Sequence, residues 1–230
     1  CTHIADIDYG KINNIPFFCT CGGGFDAFVS LKFADSGKRG LLTYLENTLH
    51  ESLTYQPETY EIENEEGTVR YKAWMIACGN ASQYGNNAYI APQASLTDGL
   101  MDVTIMEPFT VLDVPSLSFQ LFNKTIDQNS RVKTMRAKKI KIHRQKDGVM
   151  HFDGDPLMAG KELEVEIIPS GLYVMASPKK KAREESENLL QVISNYFSGL
   201  HLKGEEMLAK RQSHLFELNR TLLGKLSKKQ

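Results

Sequence analysis

Over most of the first 176 residues, apolar and polar positions alternate in short runs, punctuated by glycine, asparagine and aspartate. A period of two marks half-buried strands. Residues 3 to 21 read as two strands. Glu58 to Glu63, the turn Asn64-Glu65-Glu66-Gly67-Thr68 and Val69 to Cys78 read as a hairpin. Asp102 to Met106, Thr134 to His143, Gly148 to Phe152, Glu162 to Ile168 and Leu172 to Met175 add further strands. Helical spacing interrupts twice. Asp26 to about Leu49 predicts two helices linked at Gly37-Lys38-Arg39-Gly40, and Val114 to Asp127 predicts a short helix entered through Pro115. Many strands with few helices predict a mainly β chain with helices (α+β), built as a β-sandwich-like domain over residues 1–176.

The pattern changes after Ser177-Pro178. Glu184 to Leu202 carries Leu189, Leu190, Val192, Ile193, Tyr196, Phe197 and Leu200 at helical spacing. Glu205 to Lys225 does the same with Met207, Leu208, Leu215, Leu218 and Leu222, and Lys203-Gly204 separates the two. Residues 177–230 are therefore expected to be a helical extension folded as a hairpin. Both charge signs occupy its polar faces, which favours packing on the parent domain or on a second copy (a homodimer) over membrane anchoring.

Composition narrows the function classes. The chain has 230 residues, 41% of them hydrophobic, enough for one real core and an appendage. A net charge of -1 gives no reason to expect nucleic acid as a partner. The basic run Arg136 to Arg144 alternates with Ile140 and Ile142, so it reads as a half-exposed strand with a solvated basic face. The four cysteines form no paired framework and no signal peptide precedes them, which predicts a reducing, cytoplasmic setting. Cys19 and Cys21 would share one strand face with no second ligand pair nearby, and they are expected to be buried free thiols. No apolar run is long enough to cross a membrane.

Three glycine-acid segments carry the candidate chemistry. They are Gly22-Gly23-Gly24-Phe25-Asp26-Ala27, the stretch Pro92-Gln93-Ala94-Ser95-Leu96-Thr97-Asp98-Gly99-Leu100-Met101-Asp102-Val103, and His151-Phe152-Asp153-Gly154-Asp155-Pro156. Carboxylates at strand ends can take a proton or hold a hard cation, and each Asp-Gly is equally a hairpin-turn signal. Together with the amide-rich loop Gly79-Asn80 through Tyr84-Gly85, their order and spacing resemble the C-terminal domain of the diacylglycerol kinase/sphingosine kinase-like lipid kinases over about residues 1–176. The Pro92 to Val103 stretch is the specific part of the match.

The resemblance implies an ATP- and Mg²⁺-dependent kinase that phosphorylates a lipid hydroxyl while peripheral to the inner membrane face. Its proton acceptor falls on Asp155 or Asp153. Asp155 stands where glutamate is usual, and its shorter side chain reaches about 1 Å less, which matters for near-attack geometry. The family's metal site, an aspartate with neighbouring main-chain carbonyls, falls on Ser95, Asp98 and Leu100. Asp26 and Asn80 fall on the cleft facing the nucleotide domain; Asp26 is equally suited to capping the helix that follows it. The family's phosphate-cradling Gly-Gly-Asp-Gly-Thr loop is absent, and the chain opens at Cys1 in mid-pattern. A fragment of the enzyme, inactive alone, is the expectation. The alternative is a non-enzymatic β-sandwich binding module that assembles through its C-terminal helices.

Overall fold

The computed structural model describes residues 3–36, 55–85, 87–110 and 113–176. These residues lie in the first of two units into which the chain divides, Cys1–Ala176 and Ser177–Gln230. The helical hairpin expected over 177–230, and the second helix expected before Leu49, lie outside the described residues.

Among the described residues, twelve strands form two antiparallel sheets. They are β1 (His3–Ile12), β2 (Ile15–Phe17), β3 (Thr20–Gly24), β4 (Glu58–Asn64), β5 (Gly67–Ala73), β6 (Met75–Gly79), β7 (Met101–Met106), β8 (Val132–Ala137), β9 (Lys139–Arg144), β10 (Gly148–Phe152), β11 (Asp155–Ala159) and β12 (Glu162–Ala176). Helix α1 (Phe25–Ser36) follows β3 directly, and α2 (Val114–Phe122) precedes a 3-10 turn at Ile126–Gln128. One sheet runs β2-β1-β12-β9-β4-β5 and the other β11-β10-β3-β6-β7-β8. The mainly β, sandwich-like reading of residues 1–176 is what the described residues form.

Alternation explains the layers. Ile12, Tyr60, Ile62, Ile140, Ile142, Leu163 and Val165 of the first sheet meet Cys21, Ile76, Cys78, Met101, Val103, Ile105 and Met150 of the second, all buried in one core. The opposite face of the second sheet is covered too. Phe25, Val29, Trp74, Met75, Ala77, Ile90 and Leu117 form a second cluster there. This double burial is why Met75–Gly79 reads as a solid apolar run, since strands covered on both faces lose the polar alternation.

Two expected strands prove to be four. Val69 to Cys78 breaks at Trp74, whose amide donates to the Met106 carbonyl and whose ring stacks on Phe109 at 4.7 Å, so β5 and β6 belong to different sheets. Thr134 to His143 breaks at Lys138, because Ala137 and Ile140 are both buried yet three residues apart. A straight strand cannot point both inward. Conversely, Glu162 to Ile168 and Leu172 to Met175 are one 15-residue strand, bent where Ser170 adopts φ 48°. The cysteine expectation holds for Cys21 alone of its pair; Cys19 precedes β3 and is exposed.

Acidic neighbours line the basic face of β9. Lys139 pairs with Glu164, and with Glu166 at 3.8 Å. His143 stands 3.6 Å from both Glu63 and Glu162. Glutamates of β4 and β12 thus flank the central basic strand as cross-strand partners.

Candidate functional site

Hydrogen bonds join the nominated segments into one chain of contacts. The hairpin β10–β11 turns on Asp153 and Gly154, with φ 49° and 92°. Two successive positive φ values define the tight turn that Asp-Gly favours. Asp153 then reaches away from its own hairpin. Its carboxylate accepts the backbone N–H groups of Phe18 and Cys19 at 2.7 Å each and of Thr20 at 3.1 Å, while its own N–H donates to the Thr20 carbonyl at 2.8 Å. Asp153 is therefore the pin that holds the hairpin to the β2–β3 turn. Asp155, two residues on, is exposed, and its carboxylate makes no hydrogen bond or ion pair among the described residues.

From the Phe18–Thr20 turn the network continues to Asn80, which is fully buried. Its side-chain amide donates to the carbonyls of Phe18 at 2.8 Å and Asp8 at 3.0 Å, which leaves its oxygen without a partner. Asp8 is the next link, and sequence reasoning did not single it out. It is 2% exposed, sits where the β1–β12 register shifts, and accepts the N–H of Gly99 and of Ser170 at 2.7 Å each. An acid at an inward position of an alternating strand was the signal available for it.

Beyond Gly99 lies the third segment. Within it, Asp98 contacts Leu100 and Ser95 contacts Thr97. Asp98 Oδ1 accepts the Leu100 N–H at 3.1 Å, and Ser95 Oγ lies 3.3 Å from Thr97 Oγ1. The other Asp98 oxygen pairs with Arg136, whose Nε is also 3.3 Å from Asp102 Oδ2. Burial pushes the Asp102 carboxyl up, and the guanidinium draws it back down. The only carboxylate of the nominated metal ligands is thus already engaged by a cation, and this donor set does not fit a divalent ion.

Asp26 is buried under α1 and ties its segment to the other nominated ones. Its Oδ1 accepts the Ala27 N–H at 2.8 Å, and Oδ2 accepts from the Tyr84 hydroxyl and from His151 Nε2, at 3.0 Å each. A carboxylate only accepts, so Nε2 carries the proton and His151 Nδ1 is left without a hydrogen-bond partner. The acid also lies in the first turn of α1, where it meets the positive end of the helix dipole. The triple glycine is strand β3 itself, running between β6 and β10. It is not a phosphate loop.

Fold and site together define a two-sheet antiparallel sandwich whose glycine-acid turns are laced to one another by backbone hydrogen bonds. The chain belongs to the YegS C-terminal NAD kinase beta sandwich-like domain family, which it matches over residues 20–176. It is 26% identical over 176 residues to the "Probable lipid kinase YegS" of Salmonella arizonae and 27% identical over 176 residues to the same-named protein of Escherichia fergusonii. Each alignment covers 75% of this chain and 57% of the relative, so the chain spans little more than half the length of these relatives. A crystal structure of a diacylglycerol kinase from Bacillus anthracis str. Sterne shares the fold with a TM-score of 0.55 at 14% identity, covering 76% of this chain and 55% of that one. The resemblance to the C-terminal domain of diacylglycerol kinase-like lipid kinases is thereby confirmed.

Proposed function

We propose that this chain is the C-terminal domain of a lipid kinase that transfers the γ-phosphoryl of ATP to a lipid hydroxyl. One observation carries the assignment of roles: of the two acids on the β10–β11 hairpin, Asp153 is consumed by backbone amides and Asp155 is unengaged by any described residue. Asp155 accepts the hydroxyl proton, and Asp153 fixes the hairpin that presents it. Phosphoryl transfer asks the protein chiefly for such positioning. Mg²⁺ held with the nucleotide would neutralise phosphate charge, and both belong to a domain outside this chain. A diacylglycerol- or sphingoid-like alcohol meets the requirement of a hydroxyl beside an apolar tail. The enzyme works as a peripheral protein at the membrane surface; no helix among the described residues is long and apolar enough to cross a membrane.

The test is transfer of labelled phosphate to a panel of lipids, using the chain together with its upstream coding sequence. Asp155→Asn should lower turnover about 10²–10⁴-fold, the usual worth of a general base. Asp155→Glu should retain activity or raise it. The chain alone should turn over no ATP. Absence of transfer to any lipid, with the protein folded and nucleotide bound, would leave the binding-module reading in its place.

A further inference from the structure

The Asp98 loop falls where the family resemblance implies a metal, yet three of its N–H groups and one of its carbonyls are matched by the chain itself. The Gly99 N–H goes to Asp8 Oδ2 at 2.7 Å, and the Asp8 N–H returns to the Leu96 carbonyl at 2.7 Å. The Leu100 N–H goes to Asp98 Oδ1, and the Thr97 N–H reaches Ser95 Oγ at 3.4 Å. Of the loop's negative charge, the second oxygen of Asp98 and the neighbouring Asp102 are both met by Arg136.

The position of Arg136 follows from the backbone. Arg136 on β8 lies directly opposite Asp102 on β7 in the ladder, with Met101 opposite Ala137 beside them. Directly opposed residues of an antiparallel pair project to the same face. The guanidinium therefore starts beside Asp102 and extends along the strand to Asp98. A divalent ion holding this loop would need carboxylate lone pairs that face no other cation. A guanidinium supplies a fixed fork of donors instead, carried permanently by the fold. We infer that Arg136 is a built-in replacement for the divalent cation at the Ser95–Leu100 loop, so that the loop holds its shape with no bound metal. Other charged groups near it are Asp8, whose oxygens are both spent on backbone amides, and Asp127, which accepts from the Gln93 amide at 3.1 Å.

This inference concerns the loop alone and is read without any kinase assay, so it stands or falls apart from the proposed activity. The full chain is melted in EDTA and in saturating MgCl₂ or CaCl₂ at matched ionic strength. Wild type should show the same midpoint throughout. Arg136→Gln should melt about 2–4 °C lower in EDTA and recover when either cation is added, because Asp98 and Asp102 are then uncovered. Recovery should vanish in Arg136→Gln/Asp98→Asn. Titration with Mn²⁺ gives an independent reading: the Leu100 amide resonance should broaden saturably in Arg136→Gln and not in wild type. The inference is overturned by a wild-type midpoint that rises with Mg²⁺ and loses that rise in Asp98→Asn. Saturable Mn²⁺ broadening at Leu100 in wild type overturns it too, and so does an Arg136→Gln loss that neither cation restores. Should Arg136→Gln fail to fold in every buffer, the two wild-type readings decide alone.

Discussion

Asp153→Asn and Asp155→Asn are neighbouring, isosteric changes, yet the structure separates their consequences. Asp153 accepts three backbone N–H groups, two of them at 2.7 Å. Asparagine would keep one acceptor oxygen and turn an NH₂ group toward the remaining donors. Charge-assisted bonds of this kind are worth about 1.5–3 kcal/mol each when water is excluded, but this carboxylate is exposed, so a total of about 2–3 kcal/mol is the appropriate figure. That loss lowers the melting midpoint by about 4–12 °C for a chain of this size. Asp155 has no partner among the described residues to lose, and Asp155→Asn should stay within about 0.5 kcal/mol of wild type. Thermal melts give the midpoints. Hydrogen exchange locates the damage, since the amides of Phe18, Cys19 and Thr20 should exchange faster in Asp153→Asn and unchanged in Asp155→Asn. Equal destabilisation by both substitutions would refute the reasoning, as would an Asp153→Asn protein with wild-type midpoint and protection. A practical corollary is that lost transfer in Asp153→Asn would not identify a base, because the same change loosens the hairpin.

Three further outcomes follow from the packing. Burial, and then the Glu58 charge, push the Tyr55 phenol up to about 12, and burial raises buried Tyr60 further still. A raised folded value stabilises the fold below the unfolded value near pH 10, and that contribution drains away as pH climbs through the folded one. Absorbance titration at alkaline pH should therefore show these two tyrosines ionising late, together with a falling melting midpoint from about pH 10 upward; ionisation in step with the exposed tyrosines would contradict it. Arg144, 7% exposed, donates to the carbonyls of Gly148, Val149, Ala159 and Gly160 at 2.7–3.1 Å and closes the open end of the β10–β11 hairpin. Arg144→Met should cost about 2–4 kcal/mol by chemical denaturation, and a cost under 1 would show that water replaces it freely. Gly24 has φ 110°, and a Cβ there would lie 2.5 Å from the Trp74 carbonyl oxygen. Gly24→Ala should cost about 2 kcal/mol or more, measured the same way, and a neutral result would mean that β3 and β6 can separate locally.

Local chemistry made several elements legible from the sequence. Asp153-Gly154 was readable as a turn because two positive φ values select those residues, and Asp102 to Met106 read as a strand because its apolar run is short and bounded. The outer glutamates were visible as polar positions, though not as partners of the β9 lysines. The order of the three glycine-acid segments carried the family resemblance. What sequence could not supply was which strand lies beside which. Trp74 and Lys138 look like interior positions of continuous strands, yet at each the chain crosses from one sheet to the other. The crossing is set by where the two cores can be filled, which is a sum over distant residues.

The division is sharpest at the acids. Sequence by itself determined that carboxylates stand at Asp8, Asp26, Asp98, Asp153 and Asp155, and that glycine lets three of those segments turn or approach closely. It left Asp153 and Asp155 equivalent as bases and offered Asp98 to a metal. Only the tertiary structure distinguished them, by spending Asp153 on Phe18–Thr20, Asp8 on Gly99 and Ser170, and Asp98 on Arg136. A carboxylate's role depends on which donors reach its oxygens. Here those donors come from residues 38 to 162 positions away along the chain, which no local pattern records.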